Sequence, residues 1–148
     1  MKRLLLLLLI PTLSYSQTYD DIMNMSSLKN FKITMIENGY EKLSEFSTDS
    51  VISYGLNYLS ILEMEKVDKM GSYNKYSDSF ILMDFEKTDY KTITEKIKKN
   101  CEFYDVVEHN ETDYLCYSCP QSKYKGKIGF TVMNGMGTIV HFPKPKEE

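Results

Sequence analysis

The chain has 148 residues, a formal net charge of −3 and an aromatic content of 13%, made of 12 Tyr and 7 Phe with no Trp. One domain around a single core is the expectation at this length. An acidic chain without a basic cluster argues against nucleic-acid binding, where phosphate contacts dominate affinity.

The opening residues read as an export signal. Lys2 and Arg3 supply a positive start, Leu4 to Ile10 an apolar run, and Ser14 and Ser16 small residues at −3 and −1 of a cut before Gln17. That run is far below the roughly 20 residues a membrane helix needs, so no transmembrane span is expected. Residues 1–16 are therefore predicted as a signal peptide, and the protein as secreted or periplasmic after cleavage between Ser16 and Gln17. What remains is 148 − 16 = 132 residues; losing Lys2 and Arg3 leaves 16 basic against 21 acidic residues, a net charge near −5.

Thr18 to Met25 can form a short helical turn capped by Thr18, with Asp20 and Asp21 at its positive end. Ser26 or Ser27 then opens a longer helix. Leu28, Phe31, Met35 and Ile36 form its core-facing stripe, and Gly39 ends it. A weak strand around Tyr40 to Phe46 follows, then the polar turn Ser47 to Ser50. Val51 to Leu62 reads as a long strand, with Ile52, Tyr54, Leu56, Tyr58 and Leu62 on one face and Gly55 marking a bulge or bend. Gly71 to Asp78 reads as a loop and Phe80 to Phe85 as a strand.

The second half is better specified. Thr88 or Asp89 can cap a helix whose apolar stripe is Tyr90, Ile93, Ile97 and Cys101, with Lys96, Lys98 and Lys99 in its last turn. Phe103 to Val107 runs as a strand into the polar turn Glu108-His109-Asn110-Glu111. Tyr114 to Tyr117 returns, and Pro120 stops it. Asn134-Gly135 is a strong hairpin signal, joining Ile128–Val132 to Thr138–Phe142. Lys123, Lys125 and Lys127 read as a solvated strand edge, and residues 143–148 as a flexible tail.

The two halves share an order of elements. Ile36-Glu37-Asn38-Gly39-Tyr40-Glu41 parallels Ile97-Lys98-Lys99-Asn100-Cys101-Glu102, and Phe80 to Phe85 parallels Gly137 to Phe142. The fold class is therefore α+β: two α-β-β-β(-β) pseudo-repeats, about 18–85 and 88–142, forming one antiparallel sheet with the helices on one face of a single domain, 17–142. Over Tyr19 to Phe142 this architecture loosely resembles the β-lactamase-inhibitor-protein family, which is secreted and built from tandem helix-plus-sheet repeats. No residue motif is matched, so no functional residue carries over.

Three cysteines in an exported chain imply one disulfide and one free thiol. A three-residue loop at His109-Asn110-Glu111 opposes Cys101 to Cys119, whereas a two-residue loop at Glu108-His109 opposes Cys101 to Cys116. Cys101–Cys119 is favoured because it staples the open end of the hairpin, and Cys116 then becomes a small buried residue. Cys116-Tyr117-Ser118-Cys119 has redox spacing but sits at a strand end rather than a helix N-terminus. His109 and His141 lack zinc-site spacing, so no metal, cofactor or catalytic residue is assigned. Glu63 and Glu65 share a strand face without specifying a glycosidase pair. Asn24-Met25-Ser26 and Asn110-Glu111-Thr112 match glycosylation sequons. Tyr73 and Tyr76, in the polar loop, are the candidate partner-binding residues.

The sequence thus points to a small exported binding protein, possible inhibitors included, whose partner is a protein or a cell-envelope component. The alternatives are a small exported hydrolase with unidentified acidic residues and a passive envelope protein.

Overall fold

A computed structural model describes residues 17–57, 67–84 and 86–143. Residues 1–16, Tyr58, Leu62, Glu63, Glu65 and Phe85 lie outside them. The described chain runs α1 (Tyr19–Asn24), α2 (Leu28–Glu37), β1 (Glu41–Lys42), β2 (Val51–Leu56), β3 (Lys69–Asn74), β4 (Ser79–Asp84), α3 (Thr88–Asn100), β5 (Glu102–His109), β6 (Thr112–Ser118), β7 (Lys127–Met133) and β8 (Met136–Phe142). The class is α+β, as expected.

The strands form one antiparallel sheet in the order β1-β2-β3-β4-β8-β7-β6-β5. Each run of four is a meander, and the two meanders meet through their last strands, with Leu82 opposite Ile139 and Asp84 opposite Gly137.

Local chemistry explains the helices. Thr18 and Asp21 form a reciprocal capping box at the start of α1. Ser27 Oγ accepts the Asn30 N–H at the start of α2, and Gly39, at φ 76°, turns the chain away after it. The α3 start departs from expectation. Lys87 is its N-cap and offers no side-chain acceptor. Asp84, at the end of β4, fills that role through space: its Oδ2 accepts the N–H groups of Asp89 (2.8 Å) and Tyr90 (3.0 Å).

The helices lie on one face. Phe31 of α2 is fully buried against Tyr54, Tyr73 and Phe80, and Ile93 and Ile97 of α3 complete the core. Both approaches depend on a strand glycine. A Cβ on Gly71 would meet Met35 Sδ at 2.8 Å, and one on Gly137 would meet the Tyr90 ring at 2.2 Å. Ile36 is not part of the α2 stripe: it is 63% exposed. It falls one residue past Met35 and so off the buried arc. Gly55 marks neither bulge nor bend; it pairs with Met70 in unbroken register, and Leu43 occupies the space a side chain would fill.

Candidate functional site

The β5–β6 hairpin carries the cysteines. Cys101 and Cys119 form a disulfide with Cα atoms 4.5 Å apart. The register beside the cysteines is the one expected for this pairing, but the turn that leads to it is neither of those considered from sequence. The turn is two residues, Asn110-Glu111, both at positive φ, with His109 opposite Thr112. A bulge at Tyr104 then shifts the register by one, placing Glu102 opposite Ser118 and the cysteines just beyond. Cys116 is free, completely buried on β6, and burial pushes its thiol up to about 11. Lys127 is not on a sheet edge. It sits on the inner strand β7, its ammonium 3.9 Å from the Tyr104 ring centroid and hydrogen-bonded to Ser118.

Tyr73 and Tyr76 part company. Residues Lys69–Asn74 are strand β3 rather than loop, and only Lys75 to Asp78 turn between β3 and β4. Tyr73 is 2% exposed, its ring 5.4 Å from Phe31 and its hydroxyl donating to Asp78. It is a core residue, which removes it as a contact residue. Burial first, then the Asp78 hydrogen bond, pushes its pKa up. Tyr76 stands at the turn tip, 85% exposed, with its N–H held by Asn74 Oδ1 at 2.9 Å.

On the face away from the helices, a cleft of about 360 Å³ includes Ser72, Asn74, His109, Thr112, Tyr114 and Met133 in its lining. It brings together hydroxyls, an amide, one imidazole and apolar groups, and its described lining holds no carboxylate. His141 lies elsewhere, on the helix side. Its ring is 3.8 Å from Phe80 and 4.2 Å from Tyr124, centroid to centroid, and neither nitrogen has a partner among the described residues. Burial depresses its pKa well below the ordinary histidine value.

The outer strands of the second half present a surface that sequence reasoning did not single out. Alternation identified β5 as a strand but carried no sign of whether a helix covered it. β5 ends the sheet, and no described strand pairs with its outer edge. α3 covers the inner part of this half, with Tyr90 edge-on to Phe130 and Lys98 above the same ring. Beyond it Phe103, Tyr104, Val106, Leu115 and Val132 are exposed. Val106, Leu115 and Phe130 lie in direct cross-strand register, and this row borders a depression of about 270 Å³ that also touches Lys98 and Asp113. The edge is acidic as well as apolar, since Glu102, Asp105 and Glu108 interleave with Phe103, Val106 and Val107. Asp105 Oδ1 accepts the Val106 N–H at 2.8 Å.

No family model, no curated protein and no solved structure matches this chain. Among the described residues no helix is long and apolar enough to cross a membrane, and no group of His, Cys, Asp and Glu could hold a metal ion.

Proposed function

We propose that the chain is an exported binding protein that takes an extended, basic polypeptide segment as an added strand on β5. One observation carries this reading: an eight-residue strand edge, unpaired among the described residues, beside a cross-strand row of exposed apolar side chains. Strand addition satisfies the edge through main-chain hydrogen bonds and reads every second side chain. Here alternate side chains of the guest would reach the Phe103–Val106–Leu115 row. Charge selects the guest. Glu102, Asp105 and Glu108 oppose a second copy of the same edge and favour lysine- or arginine-rich segments. Export, with cleavage between Ser16 and Gln17, fits the Cys101–Cys119 bond, since structural disulfides persist in oxidising compartments. The protein or envelope component expected from the sequence thereby becomes a peptide-presenting partner. The exposed Tyr76, on the β3–β4 turn midway along the sheet, is left as a separate and weaker contact point.

Amide hydrogen exchange tests this reading. The mature chain is titrated with a short peptide alternating lysine and valine, and with the same peptide carrying glutamate for lysine. Slowed exchange confined to residues 102–109 with the basic peptide alone is the expected result. Equal protection by both peptides, or none on β5, refutes it.

A further inference from the structure

The first described residue is anchored in the interior. Gln17 is buried, and its backbone N–H donates to Asp89 Oδ2 at 2.9 Å. Its side-chain amide lies against Met35, with Nε2 3.8 Å from Sδ. The same Asp89 oxygen pairs with Lys69 Nζ at 2.5 Å. Asp84, buried beside them, caps the helix that carries Asp89. Tyr40 is also buried here, and its hydroxyl has no partner among the described residues. After burial itself, the charges of Asp89, Asp84 and Asp21 raise that hydroxyl's pKa. Among the described residues two buried carboxylates, Asp84 and Asp89, lie close to the buried Lys69, a low-dielectric setting that favours any further hydrogen-bonded cation.

We propose that this pocket is the seat of a processed N-terminus: hydrolysis between Ser16 and Gln17 frees the Gln17 α-ammonium, which pairs with Asp89 beside Lys69. The proposal rests on reading residues 1–16 as a removed leader. In the cleavage one water adds across the peptide bond. Ser16 leaves with the carboxylate, and the Gln17 nitrogen takes a proton. A neutral amide donor becomes a cation at hydrogen-bonding distance from its counter-ion, so no rearrangement of the pocket is needed. The new pair is a charge-assisted hydrogen bond, stronger than the amide contact it replaces. An N-terminal glutamine otherwise tends to cyclise, its free amine attacking its own side-chain amide with loss of ammonia. Pairing with Asp89 keeps the amine protonated and therefore not nucleophilic.

The sign of the pH dependence follows. Asp89 raises the α-amine pKa in the folded state above its ordinary value of about 7.7–8.0. The added stability is complete below that ordinary value and is lost as pH rises through the folded-state value.

The test compares two chains released from a fusion by a site-specific protease, one starting at Gln17 and one retaining Ser16. α-Amine titration is followed by the pH dependence of acylation, and stability by thermal melting. The Gln17 amine should titrate about one unit or more above its ordinary value and label about tenfold more slowly at pH 8 than the Ser16 amine. The Ser16-retaining chain should melt several degrees lower, and the gap should close at high pH. Asp89→Asn should restore ordinary titration; the Ser16 chain keeps the comparison valid if that variant does not fold. An ordinary pKa for the folded Gln17 amine, identical melting of the two chains, or a folded chain lighter by one ammonia each overturns the pairing. N-terminal sequencing of exported material tests the leader separately: a start other than Gln17 overturns that reading and with it the biological role, whatever the amine does in the released chain.

Discussion

The two halves of the sheet run through the same succession of strands but are finished differently. In the first half α2 packs on the inner face while α1 lies against α3 and the connection through residues 119–123, and the outermost strand, β1, has only two residues. The second half carries one helix, and its outermost strand has eight residues. Ile52, Tyr54, Leu56 and Tyr73 are accordingly buried, while Phe103, Val106 and Leu115, on the same face of the sheet, are not. Short edges are one way a fold avoids unwanted pairing. The first half uses that device; the second uses acidic residues and a bulge, which discourage self-pairing.

The comparison can be broken most forcefully in the core. Phe31→Ala removes the ring that α2 places between Tyr54, Tyr73 and Phe80, and a fully buried Phe→Ala costs about 3–5 kcal/mol. Urea denaturation should show that loss; a change below about 1 kcal/mol would mean that α2 is dispensable to the first half.

Removing the staple comes next. Cys101→Ser with Cys119→Ser opens a link between residues 18 apart in sequence, and closing a loop of that size stabilises by about 3 kcal/mol in the chain-entropy view. Amide exchange in β5 and β6 should rise more than in β2 and β3. Uniform loosening across the sheet would show that the bond supports the whole domain rather than its less covered half.

His141 gives a smaller, pH-dependent effect. Buried between Phe80 and Tyr124, it is neutral when folded and has its pKa depressed. Below about pH 6.5 the unfolded chain binds a proton that the folded chain refuses, so stability falls as pH falls, by up to about 1.4 kcal/mol per pH unit. His141→Phe should flatten that slope below about pH 6.5. An unchanged slope would assign acid sensitivity to other groups.

The smallest effects belong to the exposed residues. Val132→Thr and Tyr76→Ser should each move stability by no more than about 0.5 kcal/mol. Tyr73→Ser, by contrast, should lower the melting temperature by several degrees. Equal effects of the Tyr73 and Tyr76 substitutions would contradict the division between core and turn tip.

Much of this was legible where a local rule and a periodic pattern coincided. Thr18 capping α1, the Ile93–Ile97 stripe, and Asn134-Gly135 between two apolar runs each gave an element close to its observed bounds. What stayed hidden depends on contacts distant in sequence. Tyr73 sits among Gly, Ser, Asn and Lys, so its surroundings look like a turn. Gly71 is small because Met35 and Phe31 press on it from another element, not because the chain bends there. The Cys101–Cys119 pairing came out right from a wrong loop length, because a bulge at Tyr104 offset the shorter turn. The cap supplied by Asp84 was invisible for a related reason: it reaches α3 from the preceding strand rather than from the helix's own first residues. The open edge of β5 is a matter of which element packs elsewhere, and alternation along one strand does not encode that.

The junction of the meanders has a consequence for synthesis. β4 pairs with β8, and the nearest partners across it, Asp84 and Gly137, are 137 − 84 = 53 residues apart. A chain emerging N-terminus first forms β1 to β4 and then waits, with the outer side of β4 unpaired, until its last strand is made. Such late, non-local closure is slow because loop entropy must be overcome before any contact rewards it. Truncation just before Met136 therefore leaves β4 and β7 without the strand that both pair with, and Ile81 and Met83 lie along a bare edge. Until β8 is made, the outer side of β4 stays open to proteolysis and to unwanted strand pairing.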